Sequence, residues 1–215
     1  MCVRPSFPYW LYLVISEADC RGRNFLEVAE EAIAGGVDII QLREKNSAVS
    51  NFLKRAQQLK VITDRYHVPL IINDHISVSE QVNAAGVHVG NNDEAPLVVR
   101  RRKLFQDKIV GYSIEYISQL YSRQIAAADY LGISPVFKTD TKKDTVTQWG
   151  LAGIANIRKL TDKPLVAIGG INVGNAAAVM NAGADCIAVV SEICGAADPR
   201  EAARQLRNEI ADRTK

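Results

Sequence analysis

The sequence predicts an α/β protein of the (β/α)8 class, a TIM barrel, on three observations. Short apolar segments of strand length alternate with longer amphipathic segments along the whole chain, which is the pattern of parallel strands connected by helices. Glycine-containing turns recur where a helix would lead into the next strand. The first strand-to-helix turn, residues 16–24, lacks the G-x-G-x-x-G pattern that opens a Rossmann fold. We therefore expect a closed barrel rather than an open sheet.

The composition is that of a globular chain and excludes several classes of protein. Hydrophobic residues make up 47% and charged residues 23% of the 215 residues, which rules out a collagen-like, disordered or low-complexity chain. The 26 Lys and Arg against 24 Asp and Glu leave a formal charge of +2, so no nucleic-acid or membrane partner is expected. The length fits one domain over residues 1–215, with the barrel core at about 10–213. The sequence leaves a homo-oligomer open.

The cysteines and the first apolar segment favour a cytoplasmic protein. The segment from Trp10 to Ile15 is too short to cross a bilayer, and Glu17 and Asp19 follow it. It is therefore expected to be a first strand. A chain of this length does not need disulfides, and its cysteines share no CxxC spacing. They are Cys2, Cys20, Cys186 and Cys194.

The individual elements follow from hydrophobic periodicity. Strand candidates are short apolar runs bounded by turn residues. They are Leu11–Ile15, Asp38–Leu42, Pro69–Ile72, Gly86–Val89, Lys108–Ser113, Tyr130–Ile133, Pro164–Ile168 and Cys186–Val190. Helix candidates carry apolar residues three or four positions apart. They are Phe25–Ala34, Ser50–Tyr66, Ser77–Ala84, Ile117–Ala128, Leu151–Leu160, Asn175–Ala182 and Pro199–Arg213.

Three similar turns join predicted helices to predicted strands. They lie at residues 34–38, 84–88 and 182–185, and each contains glycine directly before the apolar run. Glycine takes the left-handed conformation that ends many helices at no steric cost. We therefore expect Gly35 or Gly36, Gly86 and Gly183 to mark helix-to-strand turns.

Polar side chains follow the predicted strands, at the end where a barrel of this class carries its active site. After strand two, the period of two places Gln41, Arg43 and Lys45 on one face. The other strands lead into further polar or glycine-containing segments. These contain Asn73, Asp74, Asp93, Ser113, Glu115, residues 134–142, Gly169, Gly170, Val190 and Ser191.

This set of residues predicts two anion sites and one divalent cation. Arg43, Lys45 and Lys142 are donors suited to phosphoryl oxygens. The turns at 169–170 and 190–191 follow strands seven and eight, where barrels commonly bind phosphate. Asp74 and Asp93 follow neighbouring strands and supply the hard oxygen ligands that Mg²⁺ prefers beside phosphates.

The histidines and tryptophans give weaker signals. None of the histidines is spaced as a metal pair, so zinc is not expected. His67 is expected at the surface or at a helix end, His88 in the barrel lining, and His75 has no assigned role. Trp10 and Trp149 are expected to be packing residues.

Taken together, these motifs resemble those of the thiamine-phosphate synthase family. The resemblance extends from about residue 11 to residue 193, and its motifs occur in order along the chain. They are Gln41-Leu42-Arg43-Glu44-Lys45, Ile72-Asn73-Asp74, Gly86-Val87-His88-Val89-Gly90 followed by Asp93, Gly111-Tyr112-Ser113, Pro135-Val136-Phe137 with Thr139-Asp140-Thr141-Lys142, Ala167-Ile168-Gly169-Gly170-Ile171 and Ala188-Val189-Val190-Ser191.

The resemblance implies a TIM-barrel transferase that joins 4-amino-2-methyl-5-(diphosphooxymethyl)pyrimidine to 4-methyl-5-(2-phosphooxyethyl)thiazole and releases pyrophosphate with Mg²⁺. Asp74 and Asp93 would be the Mg²⁺ ligands. The pyrimidine diphosphate would contact Gln41, Leu42, Arg43, Glu44, Lys45, Asn73, Ser113 and Lys142. The thiazole phosphate would contact Thr139, Asp140, Thr141, Gly170, Val190 and Ser191. The candidate catalytic residues are Arg43, Lys45, Ser113 and Lys142.

Two departures from the family pattern and three alternatives accompany this interpretation. Glu115 stands two residues after Ser113, where relatives often have His, and Lys138 adds a charge before Thr139. A thiazole tautomerase of the same superfamily is one alternative, although its members tend to lose the Asn-Asp pair. An aldolase or isomerase with a Schiff-base Lys45 or Lys142 would not need two carboxylates. A non-catalytic barrel that binds thiazole phosphate would not need them either.

Overall fold

Eight parallel strands close into a barrel in sequence order. The computed structural model describes residues 7–45, 47–139 and 147–211. The strands are β1 (Leu11–Ile15), β2 (Ile39–Leu42), β3 (Leu70–Asn73), β4 (Gly86–Val89), β5 (Ile109–Ile114), β6 (Tyr130–Ile133), β7 (Leu165–Ile168) and β8 (Cys186–Val189). The barrel closes where β8 pairs with β1, with Leu11 opposite Ile187. The predicted (β/α)8 class is therefore confirmed, and every strand end lies within one residue of its prediction.

Helices lie between the strands and pack on the outside of the barrel. They are α1 (Phe25–Ala34), α2 (Val49–Arg65), α3 (Ile76–Gln81), α4 (Pro96–Arg101), α5 (Gln124–Ala127), α6 (Gly150–Leu160), α7 (Val173–Asn181), α8 (Ser191–Cys194) and α9 (Pro199–Ala211). Short 3-10 turns occur at Ala18–Cys20, Lys103–Phe105 and Ile117–Tyr121. The prediction of α1 is correct at both ends, and α2, α6 and α9 begin within one residue of the prediction.

The helix predictions fail where the helices are short. The structure has α4 and α8, which were not predicted, because one to two turns are too few to show a helical period. The single helix predicted over Ile117–Ala128 is instead a 3-10 turn followed by α5. Ser122 interrupts it with an extended backbone, and its hydroxyl accepts a hydrogen bond of 3.1 Å from the backbone N–H of Gln124.

The core has two layers, and the strands contribute to both. In β1, the side chains of Leu11, Leu13 and Ile15 pack in the layer between barrel and helices, whereas Tyr12 and Val14 point into the barrel. Because both faces of each strand are buried, the strands are almost continuously apolar. The barrel interior also contains Ile39, Ile71, Tyr130, Val166, Cys186 and Ala188.

Two of the three predicted glycine turns have the expected conformation. Gly36 and Gly183 lie in the left-handed region, with φ of +107° and +112°. In the third turn that conformation belongs to Asn83, with φ of +48°, so the prediction for Gly86 is wrong. Gly86 begins β4 instead, where a Cβ atom would lie 2.0 Å from the carbonyl oxygen of Ile109. Glycine is needed there because the two strands approach closely.

Aromatic side chains close the barrel at the amino ends of the strands. The ring of Phe7, which precedes β1, lies 4.7 Å from the ring of Tyr130 at the start of β6. The thiols of Cys20, Cys186 and Cys194 are buried and unbridged, while Cys2 lies outside the described residues. Among the helices of the described ranges, none has the length and apolar character to span a membrane.

Candidate active site

A cavity of about 150 Å³ opens at the carboxyl ends of the strands. Its floor is formed by inward side chains of the barrel, including Tyr12, Val14, Tyr130 and Val166. Its rim is polar and contains eleven of the residues predicted from the sequence. They are Gln41, Arg43, Lys45, Asn73, Asp74, Asp93, Ser113, Thr139, Gly170, Val190 and Ser191.

Two of the predicted site residues are described and do not line this cavity. Leu42 is fully buried between the barrel and the helices. The carboxylate of Glu44 accepts a hydrogen bond of 2.8 Å from the backbone N–H of Glu17 and pairs with Arg55 at 3.3 Å. The alternation of side chains along β2 and its extension directs both away from the cavity. Asp140, Thr141 and Lys142 lie outside the described residues.

The side chains of Asp74 and Asp93 both line the mouth of the cavity and interact directly with each other. Asp74 follows β3 with φ of +61°, and its backbone N–H donates to the carbonyl of His88 at 2.9 Å. Asp93 follows β4, and its Oδ2 accepts a hydrogen bond of 2.7 Å from the N–H of Gly90. The sequence predicted this proximity because the carboxyl ends of neighbouring strands share one face of the barrel.

Burial raises the pKa of Asp74 to about 7, and the hydrogen bond and negative charge of Asp93 add to this effect. The positive charges of Lys45 and Arg43 oppose it but are weaker. Near neutral pH the carboxyl group of Asp74 is therefore protonated for part of the time. A bound cation would replace that proton and relieve the repulsion.

The donor set of this pair fits Mg²⁺. Two carboxylates provide hard oxygen ligands and leave the remaining positions to water or substrate oxygens, which is how Mg²⁺ is usually bound. Within residues 7–45, 47–139 and 147–211, no group of three His, Cys, Asp or Glu side chains could hold a metal ion by itself. A tetrahedral zinc site of protein ligands is therefore not formed by the described side chains.

The opposite side of the mouth is built by the turn after β7 and the segment after β6. Gly169 and Gly170 have φ of +108° and +64°, a conformation that side chains disfavour. The N–H of Phe137 donates to the carbonyl of Gly169 at 3.0 Å, so the segment that leads to Thr139 lies directly beside the glycine pair. A Cβ atom on Gly170 would lie 2.8 Å from the carbonyl oxygen of Lys138, so only glycine fits at this position.

Comparison with known proteins identifies the family. The sequence profile described as "Thiamine monophosphate synthase" matches residues 11–193. The chain belongs to the thiamine monophosphate synthase family. It is therefore a transferase of thiamine biosynthesis that forms thiamine phosphate and acts on small phosphorylated molecules.

Individual members of the thiamine monophosphate synthase family are similar over almost the whole chain. The thiamine-phosphate synthase of Albidiferax ferrireducens is 44% identical over 200 residues, which cover 93% of this chain and 91% of that protein. The thiamine-phosphate synthase of Chloroflexus aurantiacus is 45% identical over 197 residues, with coverage of 92% and 90%.

Solved structures agree with the family. The thiamine phosphate pyrophosphorylase of Pyrococcus furiosus superposes with a TM-score of 0.85 at 32% identity and covers 95% of this chain and 96% of that one. The 3-hexulose-6-phosphate synthase of Salmonella typhimurium superposes with a TM-score of 0.70 at 20% identity, covering 94% and 99%. The second similarity supports the barrel fold alone.

Sequence reasoning missed part of the floor of this synthase cavity. Tyr12 and Tyr130 are fully buried there and hydrogen-bonded to each other, with 3.0 Å between their hydroxyl oxygens. The period of two in β1 could have placed Tyr12 inside the barrel. Its contact with Tyr130 could not be foreseen, because 118 residues separate them.

His88, His67 and Trp10 lie where the sequence predicts them. His88 lines the cavity and is hydrogen-bonded, as predicted. His67 is exposed just beyond the end of α2, also as predicted. His75 packs edge-on against Phe52, with 5.2 Å between the ring centres. Trp10 packs under the guanidinium group of Arg207.

Proposed function

We propose that this cavity binds 4-amino-2-methyl-5-(diphosphooxymethyl)pyrimidine and 4-methyl-5-(2-phosphooxyethyl)thiazole and uses Mg²⁺ held by Asp74 and Asp93. The observation that carries the proposal is the pair of carboxyl groups that lines the mouth of the cavity together with Arg43 and Lys45. A site with this charge pattern suits a cation and a polyanion together. The carboxylates bind the cation, and the basic side chains bind the phosphate oxygens.

The size and polarity of the cavity support an assignment of the two substrates. A volume of about 150 Å³ matches one aromatic ring, so the pyrimidine ring occupies the apolar interior. The diphosphate of the pyrimidine substrate and the phosphate of the thiazole substrate lie at the rim. The diphosphate contacts Gln41, Arg43, Lys45, Asn73, Ser113 and Lys142. The thiazole phosphate contacts Thr139 to Thr141, Gly170, Val190 and Ser191, beside the short helix α8.

The proposed mechanism is dissociative. The carbon–oxygen bond to the diphosphate breaks first, because the aminopyrimidine ring can delocalise the positive charge that develops on its methylene carbon. The thiazole nitrogen then attacks this carbon. Arg43, Lys45 and Lys142 hold the departing oxygens, where negative charge accumulates during bond breaking. Mg²⁺, when bound, supplies further compensation of that charge. No side-chain nucleophile is required.

The composition and the cysteines support a cytoplasmic location for this reaction. The thiols of Cys20, Cys186 and Cys194 are buried without a disulfide, which suits a reducing compartment. We propose that the substrates are its partners, and a homo-oligomer remains compatible with the proposal.

Metal binding tests the proposal independently of turnover. Mn²⁺ replaces Mg²⁺ as a paramagnetic probe, and its binding is titrated in the presence of pyrophosphate by electron paramagnetic resonance. We expect Asp74→Asn and Asp93→Asn each to weaken Mn²⁺ binding by about tenfold or more. Glu94→Gln is the matched control, because Glu94 lies next to Asp93 but pairs with Arg102. Unchanged affinity in both aspartate variants would contradict the proposed metal site.

A further inference from the structure

Hydrogen bonds form a continuous chain that joins Gln41 and Ser113, both at the rim, through side chains in the floor of the cavity. The amide Nε2 of Gln41 lies 2.9 Å from the hydroxyl of Tyr12, which lies 3.0 Å from that of Tyr130. The hydroxyl of Tyr130 lies 2.9 Å from Nδ1 of His88, and Nε2 of His88 lies 2.9 Å from the hydroxyl of Ser113. The chain thus links a buried phenol to a residue proposed to contact substrate.

Two glycines in neighbouring strands make room for the centre of this chain. A Cβ atom on Gly111 of β5 would lie 2.2 Å from Cζ of Tyr130 and 2.4 Å from Nδ1 of His88. A Cβ atom on Gly132 of β6 would lie 3.0 Å from Cε1 of His88. Glycine inside a strand weakens it and often marks a close approach of another group. The barrel therefore accommodates the side chains of Tyr130 and His88, although the two glycines lower the stability of β5 and β6.

The donors and acceptors fix the direction of the chain. Burial raises the pKa of both Tyr12 and Tyr130 above the ordinary value, so both phenols keep their protons. Because Gln41 donates to Tyr12, the single proton of Tyr12 is directed to Tyr130 and that of Tyr130 to Nδ1 of His88. A neutral imidazole whose Nδ1 accepts carries its hydrogen on Nε2. That hydrogen is then donated to the oxygen of Ser113.

We infer that Tyr130 is a positioning residue that acts through His88 to make Ser113 a hydrogen-bond donor towards the substrate. With its oxygen occupied by the N–H of His88, Ser113 directs its own hydroxyl proton into the cavity. The group that it recognises is an acceptor, a ring nitrogen or a phosphate oxygen of the pyrimidine diphosphate. The inference rests on the proposed contact between Ser113 and that substrate.

The tautomer of His88 tests the direction of the chain without any substrate. The chain has three histidines, so ¹⁵N NMR of the imidazoles can be assigned with His67→Gln and His75→Gln variants. We expect hydrogen on Nε2 of His88 in the wild type and loss of this single tautomer in Tyr130→Phe. Tyr66→Phe is the control: its hydroxyl donates to Glu30 outside the barrel, so the tautomer should persist. Tyr12→Phe removes the hydrogen-bond donor that orients Tyr130 and should weaken the preference for this tautomer. Hydrogen on Nδ1 in the wild type, or no change in Tyr130→Phe, would overturn the inference.

Kinetics test whether Tyr130 acts through Ser113. We expect Tyr130→Phe to lower kcat/KM for the pyrimidine substrate about tenfold, as for the loss of one hydrogen bond, with KM for the thiazole phosphate unchanged. In the Ser113→Ala background the same substitution should cause no further loss. If the two substitutions lower kcat/KM independently, so that the loss in the double variant is the product of the losses in the single variants, the inference is contradicted.

Two controls complete this experiment. All variants are compared below their unfolding midpoints, measured by thermal denaturation, so that a fall in activity is not a fall in folded protein. If Ser113→Ala alone leaves kcat/KM unchanged, the proposed contact of Ser113 with the substrate is wrong. The NMR result then still decides whether Tyr130 sets the tautomer of His88, so the two failures are distinguishable.

Discussion

Asp74 has an unfavourable backbone conformation and an unfavourable environment for its charge. Its φ of +61° lies in the left-handed region, which costs a non-glycine residue about 1 kcal/mol. Its carboxyl group is half-buried and lies beside the negative charge of Asp93, and both features disfavour the ionised form. Unfavourable conformations and charges of this kind persist mainly at functional sites. This cost is consistent with a metal ligand.

The first prediction concerns the pH dependence of stability in the metal-free protein. The pKa of Asp74 is about 7 in the folded protein and about 4 in an unfolded chain. Between these values the unfolded state releases a proton that the folded state retains, so the contribution of Asp74 to the free energy of unfolding falls as the pH rises from about 4 to 7. Asp93→Asn removes one cause of the shift and should flatten this decline, so that the variant is at least as stable as wild type at pH 7.

Denaturant unfolding at several pH values, with EDTA present, measures this effect. Glu94→Gln is again the control, because it removes a neighbouring carboxylate that is not in the pair. The same pH dependence of the free energy of unfolding in Asp93→Asn as in wild type would show that Asp93 does not raise the pKa of Asp74.

Glu115 gives the second prediction. It accepts a hydrogen bond of 2.8 Å from the amide of Asn91 and does not line the cavity. The proposed mechanism gives it no proton to transfer, and glutamine can still accept from Asn91. We expect Glu115→Gln to keep synthase activity within about tenfold, which corresponds to about 1.4 kcal/mol of barrier. Steady-state rates of thiamine phosphate formation decide this. A much larger loss in a folded variant would assign Glu115 a role in proton transfer.

At the scale of elements, the strands were easier to predict than the connections between them. Strands such as β1 and β6 are apolar on both faces, so their runs stand out in the sequence. The connection between β5 and β6 was not predictable, because Ser122 divides an apparently amphipathic segment by a local hydrogen bond. Asn83 replaces the expected glycine in one turn, since asparagine also tolerates the left-handed region.

The third prediction concerns the packing of β5 against β6. A Cβ atom at Gly111 would overlap the ring of Tyr130 at 2.2 Å, and this ring is fully buried. We expect Gly111→Ala to lower the free energy of unfolding by about 3 kcal/mol, at the upper end of the usual overpacking range. Urea denaturation measures the change. Gly174→Ala at the start of α7 is the control, because a Cβ atom there would approach nothing closer than Oδ1 of Asn172, at 3.3 Å. Equal stabilities of the two variants would contradict this account of the strand pair.

The fourth prediction concerns the turn between β7 and α7. Alanine at Gly170 meets the carbonyl of Lys138 and the Cβ of Phe137, both at 2.8 Å, so it displaces the segment that leads to Thr139. We expect Gly170→Ala to raise KM for the thiazole phosphate several-fold more than KM for the pyrimidine substrate.

A second glycine separates this displacement from backbone strain. Gly22 has φ of +85° and open space around its Cβ position. Gly22→Ala should therefore lower stability by about 1 kcal/mol without changing either KM. The same rise in KM for the thiazole phosphate in both variants would refute a specific role of the Gly170 turn.

At the scale of the whole molecule, the barrel explains which parts of the site were predictable. Each strand and its helix are local in sequence, and the class of fold follows from their repetition. Closure in sequence order brings β3 next to β4, so Asp74 and Asp93 could be placed together in advance. The contact of Tyr12 with Tyr130 joins β1 to β6 across the barrel interior. It depends on the closed geometry and on Gly111, and no local pattern reveals it.

The barrel also determines where the reaction takes place. Phe7 packs against Tyr130 at the amino end, while the described polar rim lies at the carboxyl end. We therefore propose that the substrates enter from the carboxyl end, which carries the two carboxylates and the basic residues. Barrels of this class carry their active sites at this same end.

The most direct test of the account is the formation of thiamine phosphate by the purified protein from both substrates, with Mg²⁺ and with EDTA. We expect one thiamine phosphate and one pyrophosphate per turnover only when both substrates and Mg²⁺ are present, with activity restored when excess Mg²⁺ is added after EDTA. We also expect the Asp74→Asn, Asp93→Asn double variant to be folded and nearly inactive. Equal rates with Mg²⁺ and with EDTA, or full activity in the double variant, would contradict the central claim that a cation held by these two carboxylates drives the reaction.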